Sequence, residues 1–365
     1  MSVTKAAIWK TDWFLGVVIS LLFLFSAQSD LIQSLERKAY DVGVGATDRM
    51  PSPRIAIIAI DQQSIDNIGR WPWPRDVHAR MIDKLAQAQS KVVGTTIFFA
   101  EPQIDPGLAY INKLLAIESQ VRSAAAVPPT EGEGEPVPRA TESLDAFSAV
   151  LREAEAALNT DRQLADSVAR AGNVALPMLF LDGEPQGRPD KPLPEFVRLM
   201  ALKNVEGSEP LPPLTLDVSA GVIEPLGKVA AAVGHLNPSI DRDGGLRVQP
   251  LVMTHFDQLY PSLPLLIAAK SLNLGVDDIR VKLGESVTLG RLKVATDPSL
   301  GMYSFYYRGA DGKAAFPVDS FFDVMSGKIP LDKYRDRIVL IGQTAPGIGN
   351  FYATPVSPAM SSVEV

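Results

Sequence analysis

The chain has no cysteine, which excludes a disulfide framework, a thiol nucleophile and any zinc site with sulfur ligands. Its three histidines, His78, His235 and His255, are too few for a polyhistidine metal centre. Excess positive charge is also missing: 35 Lys and Arg face 42 Asp and Glu, a balance of −7. A general nucleic-acid binder needs the opposite sign against phosphate, so no nucleic-acid partner is expected. No internal repeat with a period of roughly 20–50 residues is visible. What is plentiful is proline, 29 residues in 365, about 8 % against a usual ~5 %. With 46 % hydrophobic and 21 % charged residues, the composition is that of a folded protein.

Between Asp12 and Asp30 run 17 uncharged residues, Trp13 to Ser29, with the core FLGVVISLLFLF. A helix of that length reaches ~25 Å, at the short end of what spans a bilayer. A buried globular helix would carry a polar stripe, and this segment is apolar all round. A cleaved signal peptide wants small residues just before its cut, which Phe25-Ser26-Ala27 supplies poorly. The preferred reading is an uncleaved anchor over 13–29, in contact with the lipid bilayer. Residues 1–12 are then cytoplasmic, with Lys5 and Lys10 held inside and Trp9 and Trp13 at the near interface. The bulk of the chain lies outside.

Leu31, Leu35 and Lys38 or Ala39 share a helical face, a helix continuing from the anchor until Pro51 and Pro53 stop it. RIAIIAID (Arg54–Asp61) is the β-branched apolar run of a strand buried on both faces. A turn-rich stretch leads into VHARMIDKLAQAQ, with Val77, Met81, Ile82 and Leu85 at helical spacing and Asp76 as N-cap. Lys91–Phe99 follows as a strand, and strand–helix–strand predicts a parallel pair with a right-handed crossover. Residues 119–140 hold almost no large apolar side chains and read as a flexible surface insertion.

A helix with Leu144, Phe147, Leu151, Ala154 and Leu158 on one face comes next, and a further helical stretch ends at Gly172. Asn173–Leu181 reads as a third strand, and 182–219 as a proline-rich loop with a short helix at Glu195–Leu202. Residues 225–233 read as a helix, IDRDGG as a tight turn into LRVQPLVM, and Ser262–Leu274 as a helix. Met302–Gly309 and Arg337–Gly342 read as strands. The fold class is therefore α/β: a single N-terminal transmembrane helix, then one mixed, largely parallel domain over 31–365 with long Pro-rich loop insertions.

Several chemical motifs fail on inspection. RIVLIGQTAPGIG is a strand entering a glycine-rich loop, but Ile348 stands where a P-loop needs its lysine, and Gly342-Gln343-Thr344 lacks the second glycine of a dinucleotide fingerprint. Asp241-Arg242-Asp243-Gly244 begins like a calcium loop, yet Val252 occupies the place of the bidentate glutamate; a hairpin turn is the simpler reading. Asp61, Ser64 and His78 lack a nucleophile-elbow setting. Kinase signatures are absent. No cofactor is expected.

Gly69-Arg70-Trp71-Pro72-Trp73-Pro74-Arg75-Asp76 is different. Two of four tryptophans sit two residues apart, set in prolines and flanked by arginines. The rings cap the core between strand and helix, or form an aromatic and guanidinium wall for a small anionic or planar ligand, or make a dimer contact.

The stretch IAIIAIDQQSIDNIGRWPWPRDVHARMIDKLAQAQSKVVGTTIFFAEP closely resembles the CHASE type 2 extracytoplasmic sensor domain of bacterial signalling receptors. The resemblance continues at VGHLNPSIDRDGGLRVQPLV, YPSLPLLIAA and FFDVMSGKIPLDKYRDRIVLIGQTAPGIGNFYATPVSPAMSSVEV, in the family's order from about residue 35 onward. Thr95-Thr96 stand where the family pattern usually has an aspartate in the second strand. The resemblance implies a non-catalytic sensor held in the inner membrane, its domain in the periplasm, binding an unknown small-molecule or protein stimulus. It implies further membrane helices and a cytoplasmic output domain, a Ser/Thr kinase or else a nucleotide cyclase, so the chain reads as a fragment. A homodimer is expected. The expected ligand contacts are Asp61, Arg70, Trp71, Trp73 and Arg75, with His235, Asn237 and Arg247 further out. The rivals are a non-sensing dimerisation module and a periplasmic hydrolase.

Overall fold

The apolar runs become the strands of one central sheet, with side chains alternating between two cores. The protein is seen in a computed structural model that describes residues 12–26, 29–47, 49–103, 105–125, 138–181, 193–207, 217–255, 258–309 and 314–365. β1 (Ile55–Ile60), β2 (Val92–Thr95), β3 (Val174–Leu181), β6 (Ala232–His235), β15 (Val318–Ser320) and β16 (Ile338–Gln343) lie in the order β15-β1-β16-β2-β3-β6. Every pairing among these six is parallel. β5 (Asp217–Ala220) adds one antiparallel strand beside the end of β3.

The fold is thus mixed α/β with a largely parallel sheet. One expectation changes: β1 and β2 run parallel but are not neighbours, because β16 pairs with both. β16 carries its own continuous apolar run, Ile338 to Gly342, so it fits between them as a strand covered on both faces.

Val93, Val174, Leu176, Val339 and Ile341 face one core. It is closed by α4 (Arg75–Gln87), α7 (Thr160–Ala171) and α11 (Phe321–Met325), through Met81, Leu85, Leu164, Val168 and Phe321. Val92, Ala175, Ala232 and Leu340 face the other core. There α10 (Leu263–Ser271) packs with a small sheet of β4 (Asn204–Glu206), β11 (Ile279–Lys282), β12 (Ser286–Leu289) and β13 (Leu292–Ala295). The approach is close: a Cβ on Gly234 of β6 would stand 2.7 Å from the backbone nitrogen of Leu263. Short helices α8 (Glu195–Arg198) and α9 (Glu224–Gly227) and the hairpin of β9 (Val252–His255) and β10 (Gln258–Pro261) fill the surroundings.

A third apolar cluster gathers distant parts of the chain. Tyr40 and Val44 of α2 (Asp30–Gly45) meet Leu246 and Tyr306, and Tyr352, Val356, Met360 and Val365 pack on them. Leu246 belongs to β8 (Leu246–Pro250), which pairs with β7 (Ser239–Ile240) and β14 (Gly301–Tyr303). Tyr352 and Met360 belong to the hairpin of β17 (Phe351–Thr354) and β18 (Ser357–Ser361).

Other boundaries also shift. α1 covers Asp12–Ser26, 15 residues, and Ser29 caps α2 through the Ile32 amide. Among the described residues no helix is long and apolar enough to cross a membrane. Lys5, Trp9, Lys10 and residues 27–28 lie outside the described residues. α4 starts one residue before Asp76, with Pro74 at the N-cap position, so Asp76 sits in the first turn. The stretch 119–140 is helical at both ends, in α5 (Pro106–Ala125) and α6 (Pro138–Leu158); 126–137 lies outside the described residues. The helix expected at 225–233 is only α9, because Ala232 begins a buried strand, and the strand expected over 302–309 ends at Tyr303.

Candidate functional site

In parallel α/β sheets, ligands bind beyond the carboxyl ends of the strands, and the Trp-Pro-Trp corner lies after one such end. Asp61 follows β1 and caps α3 (Gln62–Ile68): its Oδ1 accepts from the Ser64 amide at 2.9 Å and the Ser64 hydroxyl at 2.6 Å. The Ser320 hydroxyl, at the end of β15, donates to the same oxygen at 2.9 Å. The Phe322 amide donates to Ser64 Oγ at 3.0 Å. This knot locks α3 and α11 to two strand ends, and it occupies the hydroxyl a triad would need.

Beside it the aromatic corner packs inward. Trp73 is 3 % exposed, its ring centroid is 5.0 Å from that of Phe321, and its indole N–H donates to the Gly69 carbonyl at 2.8 Å. The half-buried Trp71 meets Trp73 edge-on at 5.2 Å and His78 at 5.8 Å; the Trp71–Pro72 peptide is cis. Burial pushes the His78 imidazole down to about 3, with the Arg75 charge adding to the shift. His78 and Thr95 also line a small internal cavity with Phe99 and Phe321. Arg75 lies 4.6 Å above the Phe99 ring, pairs with Asp161 at 3.3 Å and donates to the Glu101 carbonyl at 3.0 Å. Arg70 is exposed. The capping reading thus describes Trp73, while Arg70 and Trp71 keep accessible surface.

The three outer residues occupy two other places. His235, at the end of β6, is fully buried, and neither ring nitrogen has a hydrogen-bond partner. Burial alone pushes its imidazole down to about 3. Asn237 uses both ends of its amide on the Phe180 backbone, accepting from N–H at 3.0 Å and donating to C=O at 2.7 Å. It extends the β3–β6 pairing with a side chain.

Arg247, on β8, directs all five N–H donors at carboxylates. Asp41 of α2 takes Nε at 2.7 Å and Nη2 at 2.8 Å. Asp243 takes Nη1 at 2.9 Å and Nη2 at 3.0 Å, and Asp241 takes Nη1 at 2.7 Å. These bonds raise the guanidinium pKa further, and the same bonds hold the Asp243 carboxyl below its usual value. With its donors filled by carboxylates, Arg247 fastens α2 to the β7–β8 turn.

Tyr40 reinforces the attachment by donating to the Ser304 carbonyl, and its hydroxyl is pushed up to about 12, mainly by burial. Asp41, Tyr40 and Ser320 were not among the expected site residues. Only the spacing Asp241-x-Asp243-x-x-x-Arg247 signals the cage from sequence. Among the described residues no group of three His, Asp or Glu is placed to hold a metal ion.

The family model described as the CHASE2 domain matches residues 15–365. No curated protein and no solved structure matches the chain.

Proposed function

The chain belongs to the CHASE2 family, sensory domains of signalling receptors, and on that premise we propose that it is the extracytoplasmic, non-enzymatic part of a membrane-anchored receptor. Residues 13–29 tie it to the inner membrane, the domain stands in the periplasm, and a cytoplasmic Ser/Thr kinase, or else a nucleotide cyclase, receives the signal. The observation that carries the reading is the Arg247 cage. It bonds α2, the helix that directly follows the apolar segment, to the folded domain. A shift of the domain is therefore transmitted to the segment that meets the membrane. A stimulus biases such a system only by its differential affinity for two states. Arg70 and the partly exposed Trp71, with Arg75 held behind them by Asp161, form the surface proposed to meet an anionic or planar stimulus.

Fusing a phosphatase that is active only outside the cytoplasm after Val365 tests the topology. Activity is expected with the native segment. Replacing Val17 and Leu21 by arginine should abolish it by blocking insertion, since each charge costs roughly 2.5–3.5 kcal/mol at the centre of a span. Equal activity in both chains would refute the anchor.

A further inference from the structure

α5 and α6 form an antiparallel hairpin whose inner seam is well defined. Gly107 lies beside Leu158, Glu118 accepts from Ser148 at 2.5 Å, and Arg122 reaches Asp145 at 2.9 Å and Ser148 at 3.0 Å. The seam takes up the polar cluster as well as the half-buried Leu108, Ile111 and Leu115. α5 nevertheless carries a second apolar stripe that nothing among the described residues covers. Tyr110, Leu114, Ile117 and Val121 follow a 4-3-4 spacing; Tyr110 is 67 % and Ile117 55 % exposed. On α6, Phe147 and Val150 are 46 % and 61 % exposed.

Both stripes lie on one side. At roughly 100° of rotation per residue, each stands about a quarter-turn back from its helix's seam residues, in the same rotational sense. Because the helices run antiparallel, equal rotations bring the stripes to the same face of the hairpin. The result is one continuous apolar face.

We propose that this face is the interface with a second copy of the chain, the two hairpins closing into a four-helix arrangement about a two-fold axis. Three observations select this occupant. A two-fold contact sets a surface against itself, so a face with several like charges would repel its copy. Here Glu118, Arg122 and Asp145 are drawn into seam pairs, and Lys113 lies 5.3 Å from the Tyr110 ring centroid. The chain between the helices, AVPPTEGEGEPV, has two valines as its largest apolar side chains and lacks the means to cover six exposed ones. The size also fits. Helices about 30 Å long, laid side by side over ~20 Å, give roughly 600 Å² per copy, the lower end of specific interfaces.

The absence of native cysteine makes the test direct. In the full chain reconstituted in membranes, Ile117→Cys is expected to give covalent dimers with a short bis-maleimide, while Lys293→Cys on the remote β13 gives none. Ile117→Glu is expected to weaken self-association at least tenfold in detergent sedimentation, with an unchanged melting temperature when both chains are diluted to monomers, because the side chain is solvent-exposed there. A monomeric native chain, equal cross-linking at both positions, or a dimer unaffected by Ile117→Glu would each overturn the proposal. If the face instead served lipid or another protein, the native chain would sediment as a monomer. None of these outcomes bears on the phosphatase-fusion result, so the sensory reading and the dimer face stand or fall separately.

Discussion

Near the start of β8 a guanidinium is held by three carboxylates; at the end of β6 an imidazole is enclosed with no hydrogen-bond partner. Both side chains are almost withdrawn from water, Arg247 at 7 % and His235 at 0 % exposure. The difference lies in what each can do with charge. Arginine stays protonated, so its burial had to be matched by carboxylates, one of them recruited from α2 across 206 residues of sequence. Histidine escapes the cost by staying neutral, and nothing near it has to answer its charge. The first arrangement joins two parts of the molecule. The second only fills space, while leaving a group that acid can turn against the fold.

Removing the cation should have the largest effect. Arg247→Met keeps the aliphatic length but leaves Asp41 and Asp241 without their cation and Asp243 with Arg37 alone, and is expected to cost about 3–5 kcal/mol in denaturant unfolding. A loss below about 1 kcal/mol would show that the cage does not hold α2. The expected effect at His235 is smaller and depends on pH. Its folded value of about 3 lies below the ordinary 6.5. Between those two values the unfolded chain binds more protons, so stability is fully present above 6.5 and falls as pH drops towards 3. The slope is about 1.4 kcal/mol per pH unit for this residue. His78, also lowered to about 3, responds in the same window with the same sign.

His235→Leu should therefore change little at neutral pH yet exceed the native chain by about 2.7 kcal/mol at pH 4.5, measured by urea midpoints across pH. Parallel curves for variant and native chain would sink the assignment. The cage answers acid later: Asp243 titrates below its ordinary 3.8, and its contribution is present above that value and lost as pH falls further.

Local patterns were legible where the physics is local. IAIIAI reads as a strand buried on both faces because one run contains the residues for both. Ser262 and Gly172 mark helix ends through nearby atoms, and Asp241 to Gly244 reads as a turn. Pairings set by distant chain were not. Nothing near β1 announces that β16, nearly 280 residues later, separates it from β2. The cage was hidden for the same reason, since Asp41 looks like any helix-surface acid until β8 arrives. The tryptophan corner showed its rigidity in sequence but not its direction, because prolines fix a backbone without saying which ring turns inward. The 119–140 segment is helical at its ends despite its composition. Its proline- and glutamate-rich middle drew attention from the 4-3-4 stripe that begins at Tyr110 and carries α5 through to Ala125.

The smallest expected effect separates the charged part of the α2 attachment from its neutral part. Tyr40 sits one residue before Asp41 and meets Tyr303 at 5.5 Å between ring centroids. Its hydroxyl donates to the Ser304 carbonyl, while Arg247 and Asp41 make their bonds without it. Tyr40→Phe keeps the ring contact and removes one hydrogen bond, so a loss of about 1 kcal/mol is expected. In a double-mutant cycle with Arg247→Met, the two losses should fall short of additivity. Once the cage is gone, α2 has less reason to hold Tyr40 over Ser304. Additive losses would mean that the tyrosine and the cage grip α2 independently. The helix would then be attached at two points, and the attachment would survive the loss of either one.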